Sequence, residues 1–497
     1  KDFRNIEIAG SGFLNITLKE NSILKIIEKI LKDKNNYGSQ KQNKKINIEF
    51  VSANPTGPMH IGHCRGAVLG DVISNLLLFN GNKVIKEYYV NDYGEQINNF
   101  VKSVYLRIRE IKFKESFQNE PNLYPGDYII DIARNILKSH PKLNVDVFEN
   151  CFDELKNKSL KLSMNSIKKD LKSLGIEHNN FVSETYLVNE DLVNKTINLL
   201  KKDNHIEEGF LHPPKGVESK NWKKIKRLIF KSTKFGDDND RALQKNDGSW
   251  TYFANDIGYH NFKISKKYDL LINILGADHT GYIKRIKAAV EAISNGKTKL
   301  NCKVSQLVKL FKDGKPFKMS KRAGDFVTLN EFLKEVDKDA IRFMMLNRSS
   351  DVELEFDFAK VIEKTKENPI FYVQYANARI NSIFRSLKKD KEKKILLSDE
   401  RLDFNDYEKK ILRKTFEWPK IVENSSSKLE PHRITFYLYE LSTLFHSFWS
   451  KGNEDEKYRI ITDGKLNKLS SLLVLQLLSS VIRNGMQILG VSLPEKM

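Results

Sequence analysis

Residues 46–63 read Ile-Asn-Ile-Glu-Phe-Val-Ser-Ala-Asn-Pro-Thr-Gly-Pro-Met-His-Ile-Gly-His, and no other part of the chain is as informative. The alternating residues 46–51 predict a β-strand, the Pro/Gly run predicts a turn, and the apolar periodicity from Ile61 to about Asn80 predicts a long helix. A second strand is expected at Val84 to Val90. This order is typical of a doubly wound α/β domain, in which ligands bind beyond the carboxyl ends of parallel strands.

The turn between strand and helix carries residue types that suit a nucleotide. Gly57 and Gly62 let a phosphate approach the backbone closely, and the helix N-terminus favours negative charge. His60 and His63 are three residues apart and can face one ligand. Histidines at a helix start can also be caps or core residues, but the strand, turn and helix around them favour a binding site.

The run from Ala53 to His63 resembles the HIGH signature of class I aminoacyl-tRNA synthetases. Its residues resemble the form that this signature takes in the arginyl-tRNA synthetase family. The resemblance implies a Rossmann-like catalytic domain that activates arginine with ATP and transfers it to tRNA(Arg). It also implies that His60 and His63 are catalytic and stabilise the transition state at the α-phosphate. The residues expected beside ATP in this segment are Gly57, Pro58, His60, Gly62 and His63.

A second signature, Lys318-Met319-Ser320-Lys321-Arg322, follows a loop rich in glycine and lysine. It resembles the KMSKS loop of the same class, with arginine in the final place. A basic pentapeptide alone is usually solvated surface, but downstream of a HIGH motif two lysines suit the departing pyrophosphate. We expect Lys318 and Lys321 to be catalytic and Met319 and Ser320 to contact ATP.

Tyr252 and Asp256 are the candidates for recognition of the amino acid. A guanidinium is a planar fork of donors that pairs with a carboxylate and tolerates an aromatic face, and residues i and i+4 share one helical face. Such pairs also occur as caps and core, but the family has a tyrosine and an aspartate in its arginine pocket. The resemblance further places Asn54, Asp92 and Gln96 near arginine. It places Gly276, Asp278 and His279 around the ATP ribose and the mouth of the arginine site.

The α/β pattern is expected to return with strands at Trp250 to Phe253 and Leu270 to Leu275, whereas strand signals fade from Asp337 onward. The segment Asp339-Ala340-Ile341-Arg342 resembles the DALR motif of the family's anticodon-binding bundle, with isoleucine in place of leucine. Aromatic residues interleaved with arginine and histidine suit stacking on unpaired bases, although core positions of helices give the same spacing. The candidate tRNA contacts are Tyr375, Arg379, His446 and Trp449.

These patterns predict three parts of the chain. Residues 1–20 are expected to be a remnant of the N-terminal tRNA-binding domain that similar family members carry. Residues 21–336 are expected to form the catalytic domain, with a helical insertion at about 103–202. Residues 337–497 are expected to form an all-α anticodon-binding bundle.

Composition agrees with a polyanionic partner, because 84 Lys plus Arg against 64 Asp plus Glu leave a net charge of +20. Part of that charge can equally be solvated surface. The three cysteines, Cys64, Cys151 and Cys302, are far apart, so no zinc site is expected, and ATP should bring Mg²⁺ with it. Apolar runs are too short to span a bilayer and no signal segment opens the chain, which favours a cytoplasmic protein without a membrane partner. A monomer is expected as well.

Three alternatives remain open on the sequence alone. A cysteinyl-tRNA synthetase would need zinc ligands that three scattered cysteines do not supply. A non-catalytic RNA-binding relative would not need both histidines and both lysines of the two signatures. A nucleotidyltransferase that acts without tRNA would not need the C-terminal helices.

Overall fold

The computed structural model describes residues 2–118, 120–210, 225–317, 327–387 and 402–497. Its strands are β1 Phe3–Ala9, β2 Phe13–Leu18, β3 Lys45–Glu49, β4 Lys83–Val90, β5 Asn180–Ser183, β6 Ile206–Gly209, β7 Arg227–Phe230, β8 Arg241–Ala242, β9 Leu270–Gly276, β10 Lys299–Ser305, β11 Val308–Lys312, β12 Lys315–Pro316, β13 Leu354–Asp357, β14 Ile461–Thr462 and β15 Lys465–Leu466.

The α-helices of the same residues alternate with these strands at first and then follow one another. They are α1 Glu20–Asp33, α2 Ile61–Phe79, α3 Glu95–Phe113, α4 Asp127–Ser139, α5 Phe148–Ser173, α6 Glu184–Asn189, α7 Leu192–Lys202, α8 Tyr252–Ser265, α9 Ile283–Ser294, α10 Leu329–Glu335, α11 Lys338–Met345, α12 Phe358–Ile362, α13 Pro369–Ser386, α14 Asp406–Phe416, α15 Trp418–Lys428, α16 His432–Glu454 and α17 Leu469–Leu489.

A five-stranded parallel sheet of order β10-β9-β3-β4-β5 organises the catalytic part. Both of its faces are covered, because Ile272 of β9 belongs to a core shared with α2 whereas its neighbour Leu271 belongs to a core shared with α7, α8 and α9. After β3 the chain adds β4 and β5 along one edge of β3, and it later adds β9 and β10 along the opposite edge of β3. The carboxyl ends of β3 and β9 therefore flank a topological switch point, where ligands bind in sheets of this type.

Two predicted elements of this region are wrong. Trp250 to Phe253 is not a strand: Trp250 makes only an isolated bridge to Gln244, and α8 begins at Tyr252 because Thr251 caps it by accepting the Ala254 N–H at 3.3 Å. The segment 103–202 is not wholly a helical insertion. Helices α3, α4 and α5 do pack into a core of their own, but β5 lies in the main sheet, paired with β4.

The C-terminal part is a bundle in which α13, α14 and α16 surround α17. The all-α expectation for residues 337–497 is wrong in one respect, because β13 pairs in parallel with β11 and the short strands β14 and β15 pair with each other. Among the described residues, α17 is the one helix long and apolar enough to cross a membrane, but 72% of its apolar window is buried within the structure. It is packed as the core helix of the bundle.

Arg342 ties the bundle to the catalytic part. Its guanidinium donates to the Asp71 carboxylate of α2 at 2.5 Å and to the carbonyl oxygens of Leu489 and Leu174 at 2.9 and 3.0 Å. Gly490, at φ +65°, ends α17 directly against it, and a side chain there would collide with the guanidinium. The DALR-like segment therefore packs the C-terminus on the helix that starts at His60.

The N-terminal residues 3–18 form an antiparallel hairpin of β1 and β2. Its apolar side chains are exposed, Ile8 by 81% and Phe13 by 72%. The hairpin is longer than the single last strand expected of the Ala9 to Asn15 run.

Helix α10 begins with a reciprocal cap next to the predicted site. Thr328 Oγ1 accepts the Glu331 N–H at 3.2 Å, and the Glu331 carboxylate accepts the Thr328 N–H at 3.0 Å. Thr328→Ala is expected to lower the free energy of unfolding by about 1 kcal/mol, because one N–H at the helix start loses its acceptor. Urea unfolding followed by intrinsic fluorescence checks this; Thr328→Ser, the control, should stay near the parent, and an alanine variant as stable as the serine one would contradict the assignment.

Candidate active site

His60 and His63 stand side by side at the start of α2, with ring centroids 3.8 Å apart. His60 Nδ1 accepts the Gly62 N–H at 3.1 Å, and His63 Nδ1 accepts the His60 N–H at 3.4 Å. Backbone donors thus occupy Nδ1 of both rings, which places the proton of each neutral imidazole on Nε2. Burial lowers the pKa of His60; burial and the neighbouring His60 lower the pKa of His63 to about 4. At neutral pH the pair is a set of uncharged N–H donors.

The backbone around these histidines pairs with the segment that leads into α10. The Ile61 N–H donates to the Val327 carbonyl at 3.1 Å, and the Leu329 N–H donates to the Met59 carbonyl at 2.9 Å. The second signature immediately precedes this segment. Its predicted residues Lys318, Met319, Ser320 and Lys321 lie outside the described residues, so their roles stay predictions.

A cluster of carboxylates lies at the switch point, around Tyr89 of β4. Burial and then the charges of Glu184, Asp256, Glu49 and Asp92 raise the pKa of the Tyr89 phenol. We call these four acidic side chains the acidic pocket. It gathers residues from β3, the β4 end, α6 and α8, so that a chain of net charge +20 presents a concentrated negative site here.

Within the acidic pocket, two carboxyl groups titrate well above their usual range. Burial, followed by the charges of Asp256 and Asp92, raises the pKa of Glu184 to about 7. Burial raises the pKa of Asp256 to about 6, opposed by a hydrogen bond from the Tyr282 hydroxyl. Like charges crowded in a protein interior resist ionisation until a cation joins them. The pocket is therefore suited to a ligand that carries positive charge.

Asn54, Asp92 and Gln96, the residues that the resemblance placed near arginine, differ in their hydrogen-bond partners. The Asn54 side chain donates to the Gln96 side chain at 3.1 Å and accepts from the Asn91 side chain at 3.1 Å. Asn54 and Gln96 are therefore in direct contact. Asp92 instead uses both carboxylate oxygens within the protein, accepting from the Ser183 hydroxyl at 2.6 Å and the Thr185 N–H at 2.8 Å. Its charge contributes to the pocket, while its hydrogen bonds hold the start of α6.

Tyr252 and Asp256 lie on the first turns of α8 as their spacing predicts, but their surroundings differ. Tyr252 is 81% exposed, with Lys245 over its ring at 5.7 Å, whereas Asp256 reaches the acidic pocket. Tyr252 therefore lies on the solvent side of α8, one turn before Asp256.

The remaining predicted ATP residues surround the same edge of the sheet. Gly276 ends β9, and the exposed side chains of Asp278 and His279 follow it with 3.4 Å between Asp278 Oδ2 and His279 Nε2. Gly57 and Pro58 lie in the turn before His60. The Tyr128 hydroxyl of α4 packs against Gly57, where an added Cβ would lie 3.4 Å from it, so the helical insertion reaches the turn.

Sequence reasoning missed Glu49, Glu184, Tyr89 and Tyr282. Only Glu49 had a usable signal, since it ends the strand that leads into the signature and parallel strands present their last residues at the ligand edge. The others come from separate elements that only the fold brings together.

The four candidate tRNA contacts meet at one end of the bundle. Arg379 lies between two aromatic rings, 4.6 Å from the Tyr375 centroid and 4.8 Å from that of Trp449, beside a groove of about 420 Å³. His446 is buried beneath Tyr375, at 5.6 Å between ring centroids, and its Nε2 is 3.0 Å from the Tyr372 carbonyl. Tyr375, Arg379 and Trp449 are partly exposed and line this groove, whereas His446 packs beneath Tyr375.

Metal-ligand geometry is absent from this edge as far as the described ranges extend. There, no group of three or more His, Cys, Asp or Glu side chains is arranged to hold a metal ion. The three cysteines are separate thiols, Cys64 and Cys151 buried and Cys302 partly so.

Two protein families match the chain in sequence. The family of class I tRNA synthetases (R), catalytic domain, matches residues 26–385, and the DALR anticodon binding domain matches residues 373–497. These matches overlap at 373–385, and together they span the parallel sheet, the acidic pocket and the bundle.

Individual relatives agree with the family matches. The arginine–tRNA ligase of Pelagibacter ubique (strain HTCC1062) is 54% identical over 99% of this chain and 86% of its own length. The arginine–tRNA ligase of Wolbachia pipientis wMel is 44% identical over 99% of this chain and 86% of its own length. The solved structure of Thermus thermophilus arginyl-tRNA synthetase shares the fold, with a TM-score of 0.72 at 18% identity, covering 100% of this chain and 89% of that one.

The histidine pair at the N-terminus of α2, the acidic pocket at the switch point and the relatives that match almost the whole chain agree with one another. The chain belongs to the arginyl-tRNA synthetases, a family of the class I tRNA synthetases.

Proposed function

We propose that the chain ligates arginine to tRNA(Arg) at the carboxyl edge of the sheet. The arginine carboxylate attacks the α-phosphate of ATP, forming arginyl-adenylate and releasing pyrophosphate. A terminal hydroxyl of tRNA then attacks the adenylate carbonyl and releases AMP. The observation that carries the proposal is the acidic pocket, because four converging carboxylates in a strongly basic chain suit a guanidinium.

His60 and His63 hold the reacting phosphate in this proposal. Negative charge on the α-phosphate oxygens grows as the carboxylate attacks, and N–H donors already in position stabilise it without reorganising. Two neutral Nε2–H groups at a helix N-terminus supply such donors. The positive end of the helix dipole adds to the same stabilisation.

Asp256, Glu184 and Glu49 bind the guanidinium, with Tyr252 closing the outer side of the pocket. Asn54 and Gln96, whose side chains are joined by a hydrogen bond of 3.1 Å, are proposed to hold the α-amino and carboxylate groups of arginine. An uncharged analogue of the same shape leaves buried carboxylates unpaired, which a site of this kind rejects strongly.

ATP is proposed to enter as its Mg²⁺ complex, bordered by Gly57, Pro58, Gly62, Gly276 and the pair Asp278 and His279. The phosphates and water supply most ligands of such an ion, so the protein needs no dedicated cage. Lys318 and Lys321 are proposed to neutralise the departing pyrophosphate, with Met319 and Ser320 beside ATP.

The bundle is proposed to bind the anticodon arm of tRNA(Arg). An arginine held between Tyr375 and Trp449 presents both stacking surface and positive charge, which suits an unstacked base and its phosphate. We further propose that the protein acts as a monomer in the cytoplasm, without a membrane partner. The domain limits 1–20, 21–336 and 337–497 are kept as proposals.

Isothermal titration with arginine, lysine and citrulline tests the pocket directly. Citrulline has the shape of arginine without its charge, so arginine should bind at least about 100-fold more tightly than citrulline. Lysine offers a point charge without the planar fork and should also bind weakly. Equal affinity for arginine and citrulline would contradict a guanidinium site.

Arginine binding is expected to weaken as the pH falls below about 7. The raised pKa values of Glu184, about 7, and Asp256, about 6, mean that both carboxyls take up protons there and lose the charge that pairs with the guanidinium. The KM for arginine should rise up to about tenfold between pH 7 and 6, where Glu184 takes up a proton, and up to about 100-fold per pH unit below pH 6, where Asp256 does so as well, while the KM for ATP changes much less. Pyrophosphate exchange measured from pH 5.5 to 8.5 checks this, and Glu184→Gln should flatten the upper part of the profile.

A further inference from the structure

Lys263 of α8 is a buried cation directly beneath the acidic pocket. Its side chain is fully buried, and its ammonium group forms an ion pair with Glu49, lies 4.0 Å from Glu87 and stands 4.4 Å from the Tyr259 ring centroid. It also donates to the Asn273 side-chain oxygen at 3.2 Å. Two carboxylates, an amide oxygen and an aromatic face thus surround the ammonium group, and a buried lysine needs such partners.

A directed chain of hydrogen bonds continues from Lys263 to the other side of the pocket. The Asn273 amide nitrogen lies 3.0 Å from His260 Nε2, and His260 Nδ1 lies 2.8 Å from the Asp256 carbonyl. With its proton on Nδ1, the ring accepts from the asparagine amide and donates to the carbonyl. The chain thus joins Glu49 on β3 to the helical turn that carries Asp256.

The two ends of the ion pair differ in access. Lys263 is fully buried, whereas the Glu49 side chain is 16% exposed. Glu49 Oε2 meets Lys263, and Oε1 accepts the Ser52 hydroxyl at 3.2 Å. Lys263 therefore contacts the buried side of the Glu49 carboxylate, and the partly exposed side of that carboxylate faces the acidic pocket.

We propose that Lys263 is a positioning residue for arginine recognition, which acts through Glu49 by fixing its carboxylate toward the guanidinium site. Lys263 does not touch arginine. The proposal rests on the function proposed above, in which Glu49 is one of the carboxylates that bind the guanidinium.

The charges around Glu49 explain why a lysine is needed. Burial alone would raise the pKa of Glu49, but the adjacent Lys263, with smaller help from His260 and the Ser52 hydroxyl, holds it below its usual value. The other groups facing this site are acidic or neutral, namely Glu87 from β4, Asp256 and Tyr259 from α8, and Asn273 from β9. Without the lysine, burial and two neighbouring acids would favour the protonated form.

The first test compares Lys263→Met with the parent enzyme in pyrophosphate exchange at pH 7.5. Methionine fills the space of the lysine stem without the charge, so the KM for arginine should rise at least about 30-fold, with the KM for ATP within about threefold. The arginine KM should also become more sensitive to pH, rising at higher pH than in the parent as Glu49 takes up a proton. Lys266→Met, at an exposed lysine that directly follows α8, is the matched control and should behave like the parent.

A double-mutant cycle separates action through Glu49 from loss of structure. In a Glu49→Gln background, adding Lys263→Met should change the arginine KM by less than about threefold, because the group through which the lysine acts has gone. Additive losses, equal rises in the KM for ATP, or an unchanged pH profile would overturn the proposal. If Lys263→Met does not fold, the double variant, which removes both members of the Glu49–Lys263 ion pair, and Lys263→Gln supply the same comparison.

The outcomes also distinguish this proposal from the proposed function. A parent enzyme that does not use arginine would overturn both. A parent specific for arginine together with a Lys263→Met variant of normal arginine KM would overturn only the role of the lysine.

Discussion

Asparagine in place of Asp256 is expected to lower kcat/KM for arginine by about 10² to 10³. The substitution keeps the shape of the side chain and its contact with Tyr282, but it removes a charge that a buried guanidinium needs. Loss of one partner from a buried charged pair costs about 2 to 5 kcal/mol, which corresponds to this range. Steady-state pyrophosphate exchange with varied arginine measures it.

Most of the Asp256→Asn effect should appear in the KM for arginine, because the guanidinium is bound alike in the ground and transition states. Glu291→Gln, an exposed acid on α9, removes one negative charge elsewhere and should leave all constants unchanged. A tenfold or smaller loss in Asp256→Asn would show that the pocket does not bind the guanidinium as proposed.

Alanine in place of His63 is expected to lower kcat for arginine activation by about 10² to 10³. One preorganised N–H donor at a developing phosphate charge is worth this much in comparable sites. Its Nδ1 also accepts the His60 N–H, so its removal loosens the neighbouring donor. Single-turnover formation of the adenylate measures the step, and a filter-binding assay measures tRNA affinity in parallel.

The kcat loss in His63→Ala should come without a change in the affinity for tRNA, because the ring lies at the ATP side of the site. His140→Ala, an exposed histidine on the insertion, serves as the control. A normal kcat with weakened tRNA binding would reassign His63 from phosphate chemistry to tRNA contact.

Local sequence order predicted the frame of the catalytic part well. The strand, turn and helix of residues 46–80 and the strand at 84–90 correspond to β3, α2 and β4 within a residue or two at each end. These elements combine a clear apolar period with Pro and Gly at their junction, so local signals and tertiary burial agree.

Short elements failed because tertiary pairing outweighs local pattern. β5 and β13 have four residues each and a mixed pattern of burial, too little for an alternation to stand out, and they are strands because β4 and β11 offer them an open edge. Trp250 to Phe253 has strand-forming residues, but the Thr251 cap and the helical periodicity after it prevail.

The same difference between local signals and tertiary pairing decides which site residues the sequence revealed. Histidines at a helix start and an i,i+4 pair on α8 are local features: the strand, turn and helix around the histidines pointed to the first, and the family resemblance pointed to the second. Glu184 was missed because it reaches Asp256 across 72 residues of chain, through the pairing of β5 with β4. Lys263 stood seven residues after Asp256, on the same face of α8, but only the buried partners of that face reveal what it holds.

The acidic pocket also explains how a strongly basic enzyme can select a cation. Positive charge distributed over the surface favours tRNA at long range, whereas arginine is proposed to bind to Asp256, Glu184 and Glu49 at the switch point of the sheet. Attraction of tRNA depends on the overall positive charge of the chain, whereas selection of arginine depends on carboxylates buried in one pocket.

The central claim is that this pocket and histidine pair activate arginine alone for tRNA(Arg). ATP–pyrophosphate exchange with each of the twenty amino acids, with and without unfractionated tRNA, tests it most directly. Exchange is expected with arginine and with no other amino acid, and, by family resemblance, only when tRNA is present. Exchange driven by another amino acid, or none with arginine in the presence of tRNA, would contradict it.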